Sequence, residues 1–122
     1  MKKQVYITEE EHEKCMKVAA AYAELEDQEI MVVDAKRYGF VKLQCYNPPY
    51  GFEGNMVFTD HQKLFDNLWE EWLIIQLIKL SKGTELESID CLDRLQFLPE
   101  ETQKKLLEKR CWFAEQAGIN IE

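Results

Sequence analysis

Apolar residues recur along this chain with two periods, and the switch between them divides it into elements. The longest pattern runs from Thr59 to Gly83. At about 100° per residue, Leu64, Phe65, Leu68, Trp69 and Trp72 fall on one arc of a helix, and Lys63, Asp66, Asn67, Glu70 and Glu71 on the opposite arc. From Leu73 the amphipathic rule fails. Leu73, Ile74, Ile75, Leu77, Ile78 and Leu80 point to nearly all sides, with Gln76 and Lys79 as the only interruptions. A helix apolar all round has to be covered all round, which makes this the central helix of the fold or part of a subunit interface. Thr59 and Gln62 form a capping-box pattern at its start, and Gly83 after Lys82 is a stop. The two polar interruptions leave the apolar run far short of the roughly 20 residues a membrane span needs.

Upstream, Thr8 followed by Glu9, Glu10 and Glu11 is a second capping box, with Ile7 placed to staple onto the helix. The helix is expected to run to about Glu26, with Cys15, Val18, Ala19, Tyr22 and Leu25 on one arc. The period then drops to two. Ile30 to Val33 is a β-branched strand, Lys36 to Gly39 a turn, and Phe40 to Tyr46 a second strand. In that strand Val41, Leu43 and Cys45 alternate with Lys42, Gln44 and Tyr46, so the first set is expected inside and the second in water. Asn47, Pro48, Pro49 and Tyr50 make the next turn, and Phe52 to Phe58 the third strand. Gly51 and Gly54 fit a turn and a bulge, because no Lys-Ser/Thr follows them as a phosphate loop requires.

Beyond Gly83, Thr84 to Phe97 reads as a short helix with an Ile89, Leu92 and Leu95 stripe, capped by Thr84 or Ser88. Pro99 opens the last helix, on which Leu106, Leu107, Arg110, Cys111, Ala114 and Ala117 share an arc. Gly118 ends it, and Ile119 and Ile121 are placed to tuck back. The fold class is therefore α+β in one domain spanning residues 1–122: an N-terminal helix, a three-stranded antiparallel β-meander, then three helices including one long central helix.

Charge narrows the partners. The net charge is −8, from 23 acidic and 15 basic side chains. The acids crowd the helical segments, whereas residues 29–59 balance Glu29, Asp34 and Glu53 against Lys36, Arg37 and Lys42. Nucleic-acid backbone is bound through many cationic contacts, so direct nucleic-acid binding is not expected. An acidic surface keeps a protein soluble, and it also suits a basic partner. The four cysteines, Cys15, Cys45, Cys91 and Cys111, have no C-x-x-C or zinc spacing and read as reduced thiols. With no apolar leader after Met1, Lys2 and Lys3, the expected compartment is the cytoplasm.

Candidate chemistry is sparse. His12 and Cys15 lie three apart on one helix, a spacing that could pair a base with a thiol, but no orienting third group is in view. Asp60 and His61, with His12, could be offered to a metal, but zinc needs three or four converging ligands. Asp90 and Asp93 fall on the wet side of their helix. No catalytic, cofactor-binding or metal residue is assigned on these grounds.

Contact surfaces are a better fit. Tyr46, Tyr50 and Phe52 crowd a stiff Asn-Pro-Pro turn, where rigid aromatics lose little entropy on binding. Trp112 projects away from the arc of the last helix. These four residues are the candidate protein contacts of a non-enzymatic interaction or regulatory module that engages a protein partner or a second copy of itself. The alternative is a small-ligand-binding protein or small enzyme with a pocket between sheet and helices.

Overall fold

The computed structural model describes residues 7–26, 30–45 and 52–120. The order is α1 (Glu9–Tyr22), β1 (Ile30–Asp34), β2 (Phe40–Cys45), β3 (Phe52–Phe58), α2 (His61–Ser81) and α3 (Glu100–Ala117). Short 3₁₀ segments cover Lys36–Tyr38, Glu85–Ser88 and Cys91–Phe97. The architecture is α+β, with the strands in the order β1-β2-β3 and both pairings antiparallel.

The helix starts follow their caps. Thr8 accepts from the Glu11 N–H at 3.1 Å and fixes α1. At α2 the cap is Asp60, one residue later than the Thr59 pattern implied. Its carboxylate accepts from the Gln62 and Lys63 N–H groups at 2.8 and 3.0 Å, a stronger charge-assisted bond than a threonine hydroxyl offers. α3 closes on Gly118 at φ 73, where the Ile119 N–H bonds to the Ala114 carbonyl at 2.8 Å and Ile119 packs into the core. α1 ends earlier than expected, at Tyr22. The chain continues to Leu25 in tight turns, with the Leu25 N–H on the Tyr22 carbonyl, so Leu25 is still buried.

The segment after α2 is not one α-helix. Ile89 and Asp90 are extended and split it into two 3₁₀ pieces, the first capped by the Thr84 hydroxyl on the Leu86 N–H. The expected Ile89, Leu92 and Leu95 stripe is not formed as one face, since Ile89 is extended, Leu92 is exposed and Leu95 packs against the core. Arg94 fastens this segment to the end of α2, donating to the Ile89 carbonyl at 2.8 Å, the Ser81 hydroxyl at 2.9 Å and the Glu87 carbonyl at 3.0 Å.

One buried cluster draws on all three α-helices and on each strand. Phe65 packs tilted against Phe113 with ring centroids 4.6 Å apart, and Tyr22 meets the same ring at 5.9 Å. Phe113 is fully buried and Leu107 and Cys111 are exposed, so the buried arc of α3 is Leu106, Phe113, Ala114 and Ala117. It is rotated from the arc expected, because the large ring of Phe113 fills the space facing α1 and α2. The second half of α2 is not covered on every side: Leu77 is buried, whereas Ile78 and Leu80 are exposed.

The sheet faces the opposite way from its expected alternation. Lys42 is only 3% exposed and lies on the core side with Phe40, while Val41 and Leu43 are half-buried on the other face. Cross-strand partners share a face, so Ile30, Val32, Phe40 and Phe58 belong to the core side and Met31, Val33 and Val57 to the outer one. Burying two phenylalanines and Ile30 removes more apolar surface from water than burying Val41 and Leu43 would. Lys42 follows because Asn67 and Glu71 of α2 satisfy it. Gly54 is skipped by the ladder, since Leu43 pairs with Asn55 and Gln44 with Glu53, which is the bulge its glycine suggested.

Candidate functional site

Among the described side chains, the reversed alternation leaves the outer sheet face apolar and partly exposed. Two rows cross it. In one, Met31 stands beside Leu43, and in the other Val33, Val41 and Val57 run across all three strands. Met31 is 45%, Val33 38% and Val57 59% exposed. An antiparallel sheet with one face in water ordinarily puts polar residues there. Met31, Leu43, Val33, Val41 and Val57 depart from that rule together. The sequence signal lies in Val41 and Leu43, whose alternation with Lys42 by itself reads as core.

Tyr46 and Tyr50 lie outside the described residues, and Phe52 is described only as a backbone position at the start of β3.

Trp112 is 36% exposed and borders a second feature, a cavity of about 540 Å³ between α2 and α3. Trp72 and Gln76 of α2 contribute from one side, and Leu106, Lys109 and Trp112 of α3 from the other. The Trp72 indole N–H donates to the Glu26 carbonyl at 2.7 Å, which draws the chain after α1 against the same opening. Lys109 Nζ stands 6.0 Å from the centre of the Trp112 ring. This cavity lies between two helices, not between sheet and helices as anticipated.

The histidines are joints between elements. His12 Nε2 pairs with Asp34 Oδ1 at 2.8 Å and its ring lies against Phe40, tying α1 to the end of β1. The next residue back, Glu11, takes the His61 backbone N–H at 2.9 Å and pairs with His61 Nδ1 at 2.8 Å, tying α1 to the start of α2. These bonds hold the carboxyls of Glu11 and Asp34 below their ordinary values, in each case chiefly through the histidine side chain. Asp60 is lowered chiefly by the Lys63 N–H it caps.

Glu11, Asp60 and His61 each offer a ligand atom within 4.8 Å of the others. Helix capping and the histidine pair already account for that proximity, and His12 is turned to Asp34. The Cys15 thiol is fully buried and pushed up to about 11, first by desolvation and then by the charges of Glu11 and Asp60. It is protonated at neutral pH, so the thiolate a nucleophile needs is not formed there. Asp90 and Asp93 are exposed, as their helical phase implied.

No known protein family, characterised protein or solved structure matches this chain. Among the described residues no helix is long and apolar enough to cross a membrane.

Proposed function

We propose that this chain is a non-enzymatic protein-interaction module that docks a partner protein through the outer face of its sheet. The observation that carries this reading is the row Val33, Val41 and Val57, with Met31 and Leu43 beside it, left in water by a sheet that turns its lysine inward. The partner has an apolar surface set among basic residues. Two copies of a chain with net charge −8 repel each other, whereas a basic surround is attracted and steered to it. Tyr46, Tyr50 and Phe52 are proposed as further aromatic contacts on their sequence alone. A net charge of −8 does not suit binding to a nucleic-acid backbone.

The test is capture from native lysate by the wild-type chain and by a Val33→Lys/Val57→Lys variant, at low and high salt. Both positions are exposed, so the variant keeps its fold. A basic partner lost from the variant and weakened by salt supports the reading. Equal capture by both proteins, or a complex indifferent to salt, refutes it.

A further inference from the structure

We propose that Glu11, Asp60 and His61 bind a divalent transition-metal ion of the zinc type at the joint between α1 and the start of α2. Each side chain offers one ligand atom, and the three atoms lie within 4.8 Å of one another. Glu11 and His61 are 50 residues apart in the chain, so the fold makes the convergence. The sequence alone set His12 beside Asp60 and His61. The structure turns His12 to Asp34 and brings in its neighbour Glu11 instead.

The bonds already made at this joint leave ligand atoms over. Asp60 caps α2 through Oδ1, and Glu11 takes both the backbone N–H and the ring of His61 through Oε1. The second oxygen of each carboxylate remains for a cation. Among the described residues, neither carboxylate lies within ion-pair distance of a lysine or arginine. Both negative charges are felt together inside the protein, where they help to push up the Cys15 thiol. The positive end of α2 is muted towards an ion, because its first three N–H groups are bonded to these same two carboxylates.

Ligand chemistry selects the ion. One imidazole nitrogen with two carboxylate oxygens suits zinc better than calcium or magnesium, which take oxygen ligands. Zinc holds such atoms at about 2.0–2.2 Å, which sets tetrahedral ligands about 3.4 Å apart. Small side-chain rotations close the difference. On binding, His61 takes its Nε2–H tautomer, which frees the Nδ1 lone pair for the metal. Water fills the position that three protein ligands leave open. The bound ion clamps α1 to α2. The site is separate from the outer sheet face, and binding here stands whether or not that face docks a partner.

The experiment is a titration of the full chain, stripped of metal with a chelator, with Zn²⁺ alone. Calorimetry gives the affinity, and the imidazole nitrogen signals of ¹⁵N-labelled protein give the place. One equivalent should bind with a Kd of about 10 μM or tighter, moving the His61 Nδ1 signal and leaving those of His12 unmoved. The thermal midpoint should rise with Zn²⁺. Asp60→Asn keeps the helix cap, since Asn serves there as well as Asp, and removes a charged ligand. His61→Gln keeps the backbone bond to Glu11 and removes the imidazole. Each should fold without metal and bind Zn²⁺ at least about tenfold more weakly, the least that losing even an outer partner of a metal site costs. Glu10→Gln, at the exposed acid next to Glu11, and Cys111→Ser, at the exposed thiol, should bind as wild type. No saturable binding up to about 1 mM Zn²⁺, unchanged affinity in Asp60→Asn and His61→Gln, or loss of binding in Glu10→Gln or Cys111→Ser would each overturn the proposal.

Discussion

The Lys42 ammonium donates to the side-chain oxygen of Asn67 at 2.6 Å, beneath the sheet. Glu71 stands 3.6 Å from the same nitrogen, one helical turn further along α2. This contact lets Lys42 share the face of β2 on which Phe40 is buried. Val41 and Leu43 take the other face, so the buried polar group and the exposed apolar face are two consequences of one choice.

Removing the two partners has unequal effects. Asn67→Ala leaves a buried ammonium with Glu71 alone and should cost about 1–3 kcal/mol. Lys42→Met keeps the volume and removes the charge, while Glu71 remains partly exposed to water. It should cost less than Asn67→Ala, since replacing a buried charge by an apolar group of like shape is often neutral. Denaturant unfolding of both variants checks the order.

Acid should weaken the α1 joints. Glu11 and Asp34 have folded values below their ordinary 4.5 and 3.8. Groups depressed on folding contribute stability that is full above the ordinary value and lost as pH falls through the lowered folded one. The thermal midpoint should therefore fall as pH drops below about 4.5, and a Glu11→Gln/Asp34→Asn variant should show a shallower fall over that window. A parallel fall in both proteins would assign the acid sensitivity elsewhere.

Gly39 should be the least replaceable of the described glycines. It sits at φ 108, and a Cβ there would meet the Phe58 carbonyl oxygen at 2.5 Å. Gly39→Ala should cost about 3 kcal/mol or more, from strain and backbone collision together. Gly83, at φ 79 with open space around it, should cost only about 1–2 kcal/mol when replaced by Ala, from the left-handed backbone alone. Thermal melts of the two variants give the comparison.

Thiol labelling of the native protein should be ordered by burial. Of the three cysteines whose side chains are described, Cys111 is exposed, Cys91 half-buried and Cys15 fully buried with its thiol at about 11. Cys111 should react first, and Cys15 only on unfolding. Fast labelling of Cys15 at neutral pH, located by mass spectrometry, would contradict its place in the core.

Much of this was legible in the sequence, and the misreadings share a cause. Element types followed from period and capping residues, which are local: Thr8 for α1, Gly118 for the end of α3, the switch to alternation at Ile30. The faces did not follow, because they depend on what lies opposite. Val41 and Leu43 look like core beside Lys42 until Asn67 and Glu71, on a helix about 25 residues away, provide for the lysine. On α3, Leu107 and Cys111 look like core until Phe113 claims the space facing Tyr22 and Phe65. The phase of Trp112 on α3 marks it as outward-facing, but the cavity it borders also needs Gln76 and Trp72 from another helix.

The central claim, that the outer sheet face docks a partner, is tested most directly by photo-crosslinking from position 57. A photoreactive phenylalanine replaces Val57 there, and an equal substitution at Glu13, on the exposed side of α1, serves as control. In native lysate the account predicts one dominant adduct from position 57 to a basic protein, absent from position 13 and reduced by salt. An adduct only within the chain itself, only to a second copy, or equally from both positions would contradict it.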